Sequence, residues 1–204
     1  MRNRTVSIQR KTKEVQILGR LNLDGRGNAS VSTGIRFLDH MLELMVKHGL
    51  FDLELKAQGD IDIDHHHTNE DLGLALGEAF RRALAEKRGV RRMGHAFVPM
   101  DESLARVRAV VDLSGRPSFH WGWAAKVRPT AYQDRGTYDL TDACHFLESF
   151  VTQSGITLHV DVLKAGGDIH HLLESVFKAL GRALRQAVEK DPRVKGIPST
   201  KGTL

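Results

Sequence analysis

The chain has 204 residues, 41% hydrophobic and 27% charged, which suits a soluble globular protein with one sizeable core or two small ones packed together. No apolar run approaches the roughly 18–20 residues needed to span a bilayer; the start "MRNRTVSIQRKTKE" has no apolar segment of a secretory leader, and the single Cys144 forms no intrachain disulfide, so a cytoplasmic location is expected. The formal net charge is +5, but Lys and Arg are spread along the chain and only two Tyr and two Trp offer stacking surfaces, so the charge is read as fitting an anionic small substrate and not nucleic acid.

In chain order, "TVSIQRKTKEVQILGRLNLDG" alternates and turns at Asp24-Gly25, which predicts two strands and a turn. "NASVSTG" continues as a short strand. Phe37, Leu38, Met41, Leu42, Met45 and Val46 follow helical spacing, stopped by Gly49. "LFDLELKAQ" reads as a strand. A helix runs from Thr68 to the basic turn at Lys87-Arg88-Gly89. The second half predicts strands near 95–98, 104–113 and 118–127, a helix over 140–153, a strand over 156–163 and a long helix over 170–190. The order is the same in both halves. Each half is expected to be a small sheet with two helices on one face, an α+β class, with no linker between halves. The expected division is 1–92 and 93–204.

The halves also share sequence. From His66 the chain reads "HHTNEDLGLALGEAFRRAL" and from His170 "HHLLESVFKALGRALRQAV", with nine identities in nineteen positions. "DHMLE" before the first block matches "CHFLE" before the second, pairing His40 with His145. Two copies are a duplication, too few for a stacked array.

The repeated positions carry chemistry. His66 and Glu70 are four apart at a helix start and share a face, while His67 points about 100° away. His170, His171 and Glu174 repeat this. With His40 and His145 the set holds six histidines and two glutamates. One such match is ordinarily a solvated helix face; two matched copies point to metal. Imidazole and carboxylate without thiolate suit Mn²⁺, Fe²⁺ or Zn²⁺ better than Ca²⁺ or Mg²⁺.

Together "FLDHML", "HHTNED", "DLSGRP", "HH..E..FKALGRAL" and "PSTKG" resemble the imidazoleglycerol-phosphate dehydratase family of histidine biosynthesis, over nearly the whole chain. The resemblance implies two ribosomal-protein-S5-domain-2-like repeats in one subunit and a twenty-four-subunit shell with active sites at interfaces. It implies Mn²⁺, two ions per active site, with His40, His66, His67, Glu70, His145, His170, His171 and Glu174 as ligands. It implies Glu14, in "TKE", as the catalytic carboxylate, and Arg92, Arg116, Lys178, Ser199 and Lys201 as phosphate binders. The polar tail "KGIPSTKGTL" would then order over the substrate as a lid; by itself it reads as a frayed end.

The implied reaction converts imidazole glycerol phosphate to imidazole acetol phosphate. The proton to be lost is poorly acidic, so the imidazole ring is the handle. A metal-bound imidazolate would expel the neighbouring hydroxyl, and a carboxylate would take the C2 proton. The chain departs from the family pattern at Asp168, usually Asn, and at Leu44, often Gln. The 101–112 segment is two residues longer, for which a bulge or longer hairpin is expected. His65 reads as a bystander. Two other readings remain: a dinuclear metallohydrolase, separated by release of phosphate, and a metal-storage shell, disfavoured because His-x-x-x-Glu is not the Glu-x-x-His of ferritin-like bundles.

Overall fold

The computed structural model describes residues 4–107, 112–113, 115–124, 138–165 and 168–204. The first repeat holds β1 (Thr5–Lys11), β2 (Val15–Asn22), β3 (Ala29–Ser32), α1 (Arg36–Gly49), β4 (Asp52–Gly59) and α2 (His66–Leu84). The second holds β5 (Ala96–Met100), β6 (Ser103–Val107), β7 (Ser118–Trp123), α3 (Leu140–Ser154), β8 (Thr157–Lys164) and α4 (Ile169–Val188). The expected 104–113 and 118–127 strands extend outside the described residues. Within them, the register of β6 on β8 shifts between Leu104 and Ala105, in the segment for which a bulge or longer hairpin is expected.

The two sheets have the same topology, β1-β2-β4-β3 and β5-β6-β8-β7. In each, the last two strands pair in parallel, joined by a helix, and the others pair antiparallel. Alternation sets the faces. Ile17, Leu21, Leu53 and Leu55 in one sheet and Leu158, Val160 and Val162 in the other are buried, while intervening residues such as Arg20 and Glu54 face solvent. This is the α+β duplication the sequence predicts. No helix among the described residues is long and apolar enough to cross a membrane.

The helical layers meet between the sheets, and they pair crosswise. α2 packs on α3 and α1 on α4, so each contact joins one helix from each repeat. Glycine permits this. A Cβ on Gly181 of α4 would lie 2.2 Å from the Met45 carbonyl oxygen of α1, and one on Gly77 of α2 would lie 2.4 Å from that of Phe150 on α3. These are the repeated Ala-Leu-Gly positions, so their common cause is backbone contact at the crossing. Gly181→Ala gains about 1 kcal/mol of helix propensity, but the clash is with backbone and outweighs it. A net loss of about 2 kcal/mol is expected, read as a fall of about 4–8 °C in the thermal unfolding midpoint.

Candidate active site

The crosswise pairing brings a histidine from one repeat onto the His/Glu face of the other. His170 and Glu174 lie on the first turns of α4, and His40 of α1 faces them. His40 Nε2 is 2.8 Å and His170 Nε2 3.2 Å from Glu174 Oε1. One ligand atom from each of the three lies within 4.8 Å of the others. The repeat-equivalent second set is looser: His66 Nε2 is 3.7 Å from Glu70 Oε2, and the His145 ring of α3 meets His66 edge-on with centroids 5.2 Å apart.

The clusters differ in their surroundings. Glu174 is 7% exposed. Burial works against its charge, but hydrogen bonds from Lys178, His40 and His170 hold its pKa at about 2. The Lys178 contact is short, 2.6 Å, and Lys178 also touches Met100 Sδ. The repeat-equivalent of Lys178 is Leu74. Glu70 accordingly has a leucine where Glu174 has its lysine, and its cluster opens into a cleft of ≈ 290 Å³ lined also by Leu74, Glu148 and Thr152.

His67 and His171 join neither cluster. Each turns away and is tied through Nδ1 to a carboxylate: His67 to Asp60 Oδ2 at 3.0 Å, and His171 to both oxygens of Glu102 at 3.2 Å. The Asp60 hydrogen bond, with the nearby Glu14 charge, raises the His67 pKa. Glu14 therefore sits beside His67, in the exposed β1–β2 turn. That turn is anchored to α2 by Thr12, whose hydroxyl caps the backbone N–H of Glu14 and bonds Asp71.

Four of the five basic and hydroxyl candidates gather elsewhere. Arg92 donates to Asp112 at 2.5 Å and to the Pro198 carbonyl at 2.7 Å, and Arg116 approaches the same Asp112 at 3.9 Å. Ser199 follows Pro198, and its hydroxyl accepts the Lys201 backbone N–H. Arg92 has a left-handed φ of 72°, and its backbone N–H bonds the Ala187 carbonyl. This cluster is thus at the C-terminal end of α4. His170 is at the other end, about 25 Å away along the helix axis. Lys178 is apart from the other four, on Glu174.

Comparison with known proteins decides the family. The imidazoleglycerol-phosphate dehydratase pattern matches residues 33–184. The chain is 52% identical to the imidazoleglycerol-phosphate dehydratase of Acidithiobacillus ferrooxidans over 205 residues, covering 100% of this chain and 99% of that one. It is 50% identical to that of Aromatoleum aromaticum, covering 98% and 100%. The chain belongs to the imidazoleglycerol-phosphate dehydratase family. It is by that membership a hydro-lyase. Two solved imidazoleglycerol-phosphate dehydratases share its fold. The Staphylococcus aureus enzyme superposes with a TM-score of 0.75 at 33% identity, covering 91% of this chain and all of that one. The Pyrococcus furiosus enzyme, solved with (S)-C348, gives 0.78 at 30%, covering 97% and all of that one.

Within this dehydratase chain, several residues near the clusters went unread in the sequence. His65, outside the expected ligand set, has a packing role. Its Nε2 lies 3.0 Å from Asp142, at the start of α3, and its ring stacks on Tyr138. The Tyr138 hydroxyl donates to Asn69 Oδ1, and Asn69 Nδ2 donates to the Asp142 carbonyl. Phe37 stacks on Tyr138 and meets the His170 ring edge-on. These contacts fix α2 against α3 beside both clusters. Asn69, fully buried where the second repeat has Leu173, was the available signal. Asp168 has a local explanation: it is the N-cap of α4 and accepts the His170 backbone N–H at 2.8 Å. Leu44 packs against the core.

Proposed function

We propose that this chain dehydrates imidazole glycerol phosphate to imidazole acetol phosphate in histidine biosynthesis, using two Mn²⁺ ions per active site, at sites built between subunits of a twenty-four-subunit shell in the cytoplasm. The observation that carries the reading is the pair of repeat-equivalent His/His/Glu clusters on crossed helices. Their donors are imidazole and carboxylate only, and the ligand atoms of His40, His170 and Glu174 lie within 4.8 Å of one another, close enough to share a divalent cation. His40, His170 and Glu174 would hold one ion; His66, Glu70 and His145 would hold the other. His67 and His171 face away, and serve as fourth ligands to clusters of neighbouring subunits.

Distance supports shared sites. The substrate places its ring and phosphate less than about 10 Å apart, at ~1.5 Å per bond. The Arg92 cluster and the His170 cluster of one chain are too far apart for that. A phosphate held by Arg92, Arg116, Ser199 and Lys201 therefore presents its ring to the metals of another chain. Lys178 neutralises Glu174 in the free chain and becomes available to phosphate when the carboxylate turns to metal.

Bound Mn²⁺ would supply Lewis-acid polarisation of the substrate ring nitrogens. The remaining work falls to the chain. The arginines and the tail orient the glycerol phosphate and exclude water. Glu14, exposed in its turn and beside His67, takes the C2 proton as the neighbouring hydroxyl leaves, and the resulting enol becomes the ketone. Cys144 has no part in this: burial pushes its thiol up to about 11.

The test is the product. Protein stripped by chelator and reloaded with Mn²⁺ should form ketone from imidazole glycerol phosphate with no free phosphate. Released phosphate would mark a hydrolase. Arg92→Ala should raise KM about 10- to 100-fold, the worth of a charged hydrogen bond, as measured by steady-state kinetics.

A further inference from the structure

The hydrogen-bonded tethers on His67 and His171 come from different places in the repeat, although the β1–β2 turn that corresponds to the β5–β6 turn does bring Glu14 beside His67. Asp60 comes from the β4–α2 connection, whereas Glu102 comes from the β5–β6 turn. Different elements thus deliver the same contact, a carboxylate on Nδ1 of the histidine that leaves its own cluster. A carboxylate on Nδ1 holds the ring proton there and leaves the Nε2 lone pair free. It also fixes rings that would otherwise change rotamer, since these side chains are 38% and 29% exposed. His171 Nε2 is 3.8 Å from Asp101, beyond hydrogen-bond range. Asp60 is costly to the fold. Its Oδ1 is buried without a hydrogen-bond partner among the described residues, and its Oδ2 bonds His67.

We propose that Asp60 and Glu102 are positioning residues that hold His67 and His171 in the tautomer and direction needed to ligate a metal of a neighbouring subunit through Nε2. The inference rests on the proposed function, in which those two histidines are ligands. A ring preset this way loses less freedom on binding and is a better donor, because the carboxylate raises its basicity.

The experiment is Mn²⁺ titration of the chelator-treated full chain by calorimetry, with the thermal midpoint of the metal-free protein alongside. Asp60→Ala and Glu102→Ala should each weaken one of the two Mn²⁺ sites by about 10- to 100-fold and leave the other, with the metal-free midpoint not lowered. Glu102→Gln and Asp60→Asn keep an acceptor for Nδ1–H and should restore part of the affinity, which a general loss of structure would not permit. Wild-type affinity in both alanine variants, with wild-type protein binding two ions, overturns the positioning role alone. A wild-type protein that binds no Mn²⁺ overturns the metal reading and this inference with it.

Discussion

Glu174→Gln abolishes ketone formation and weakens Mn²⁺ binding by more than about a hundredfold, a larger loss than removing an outer-shell partner. The carboxylate is the one group on which His40, His170 and Lys178 all converge. The amide keeps the shape but removes the charge that matches a cation and the Lys178 ammonium. Lys178 is then left 16% exposed with no anion, so the metal-free protein should also lose stability. Manganese content after gel filtration and unfolding midpoints check both effects. Glu70→Gln provides the comparison. Its side chain is 50% exposed and its repeat has Leu74 in place of the lysine, so it should lose metal with little change in metal-free stability.

Glu14→Gln lowers kcat by about 10²- to 10⁴-fold, the range of positioned acid–base catalysis, while the protein keeps its Mn²⁺. The Glu14 charge acts on His67, which lies outside both His/Glu clusters of its own chain. The two would be carried together to the neighbouring site, one as base and one as ligand. Metal analysis on the assayed sample separates the roles. Near-normal turnover with metal bound would remove Glu14 as the base.

The duplication was legible because chemistry and packing fall on the same repeated positions. His66 and His170 mark the two ligand helices, and Gly77 and Gly181 mark the two helix crossings. The i, i+4 spacing placed His and Glu on one face, and the 100° step correctly separated His67 and His171 from that face. The crosswise pairing was not legible, because nothing local says that His40 meets His170 across the repeats rather than His66 within its own. The i, i+4 spacing of Glu174 and Lys178 was visible, but it serves an ion pair in the free chain, since a buried carboxylate takes the nearest cation. Asp60, Glu102 and Tyr138 were unreadable. Each acts through a loop or a helix start whose direction depends on tertiary packing.

The most direct test of the account is the anomalous signal of manganese in crystals of the Mn²⁺-loaded protein. Two peaks per chain are expected, one among His40, His170 and Glu174 and one among His66, Glu70 and His145. Each should be completed by a His67 or His171 from a neighbouring subunit. A single peak, or peaks outside these clusters with His67 and His171 turned to solvent, would contradict it.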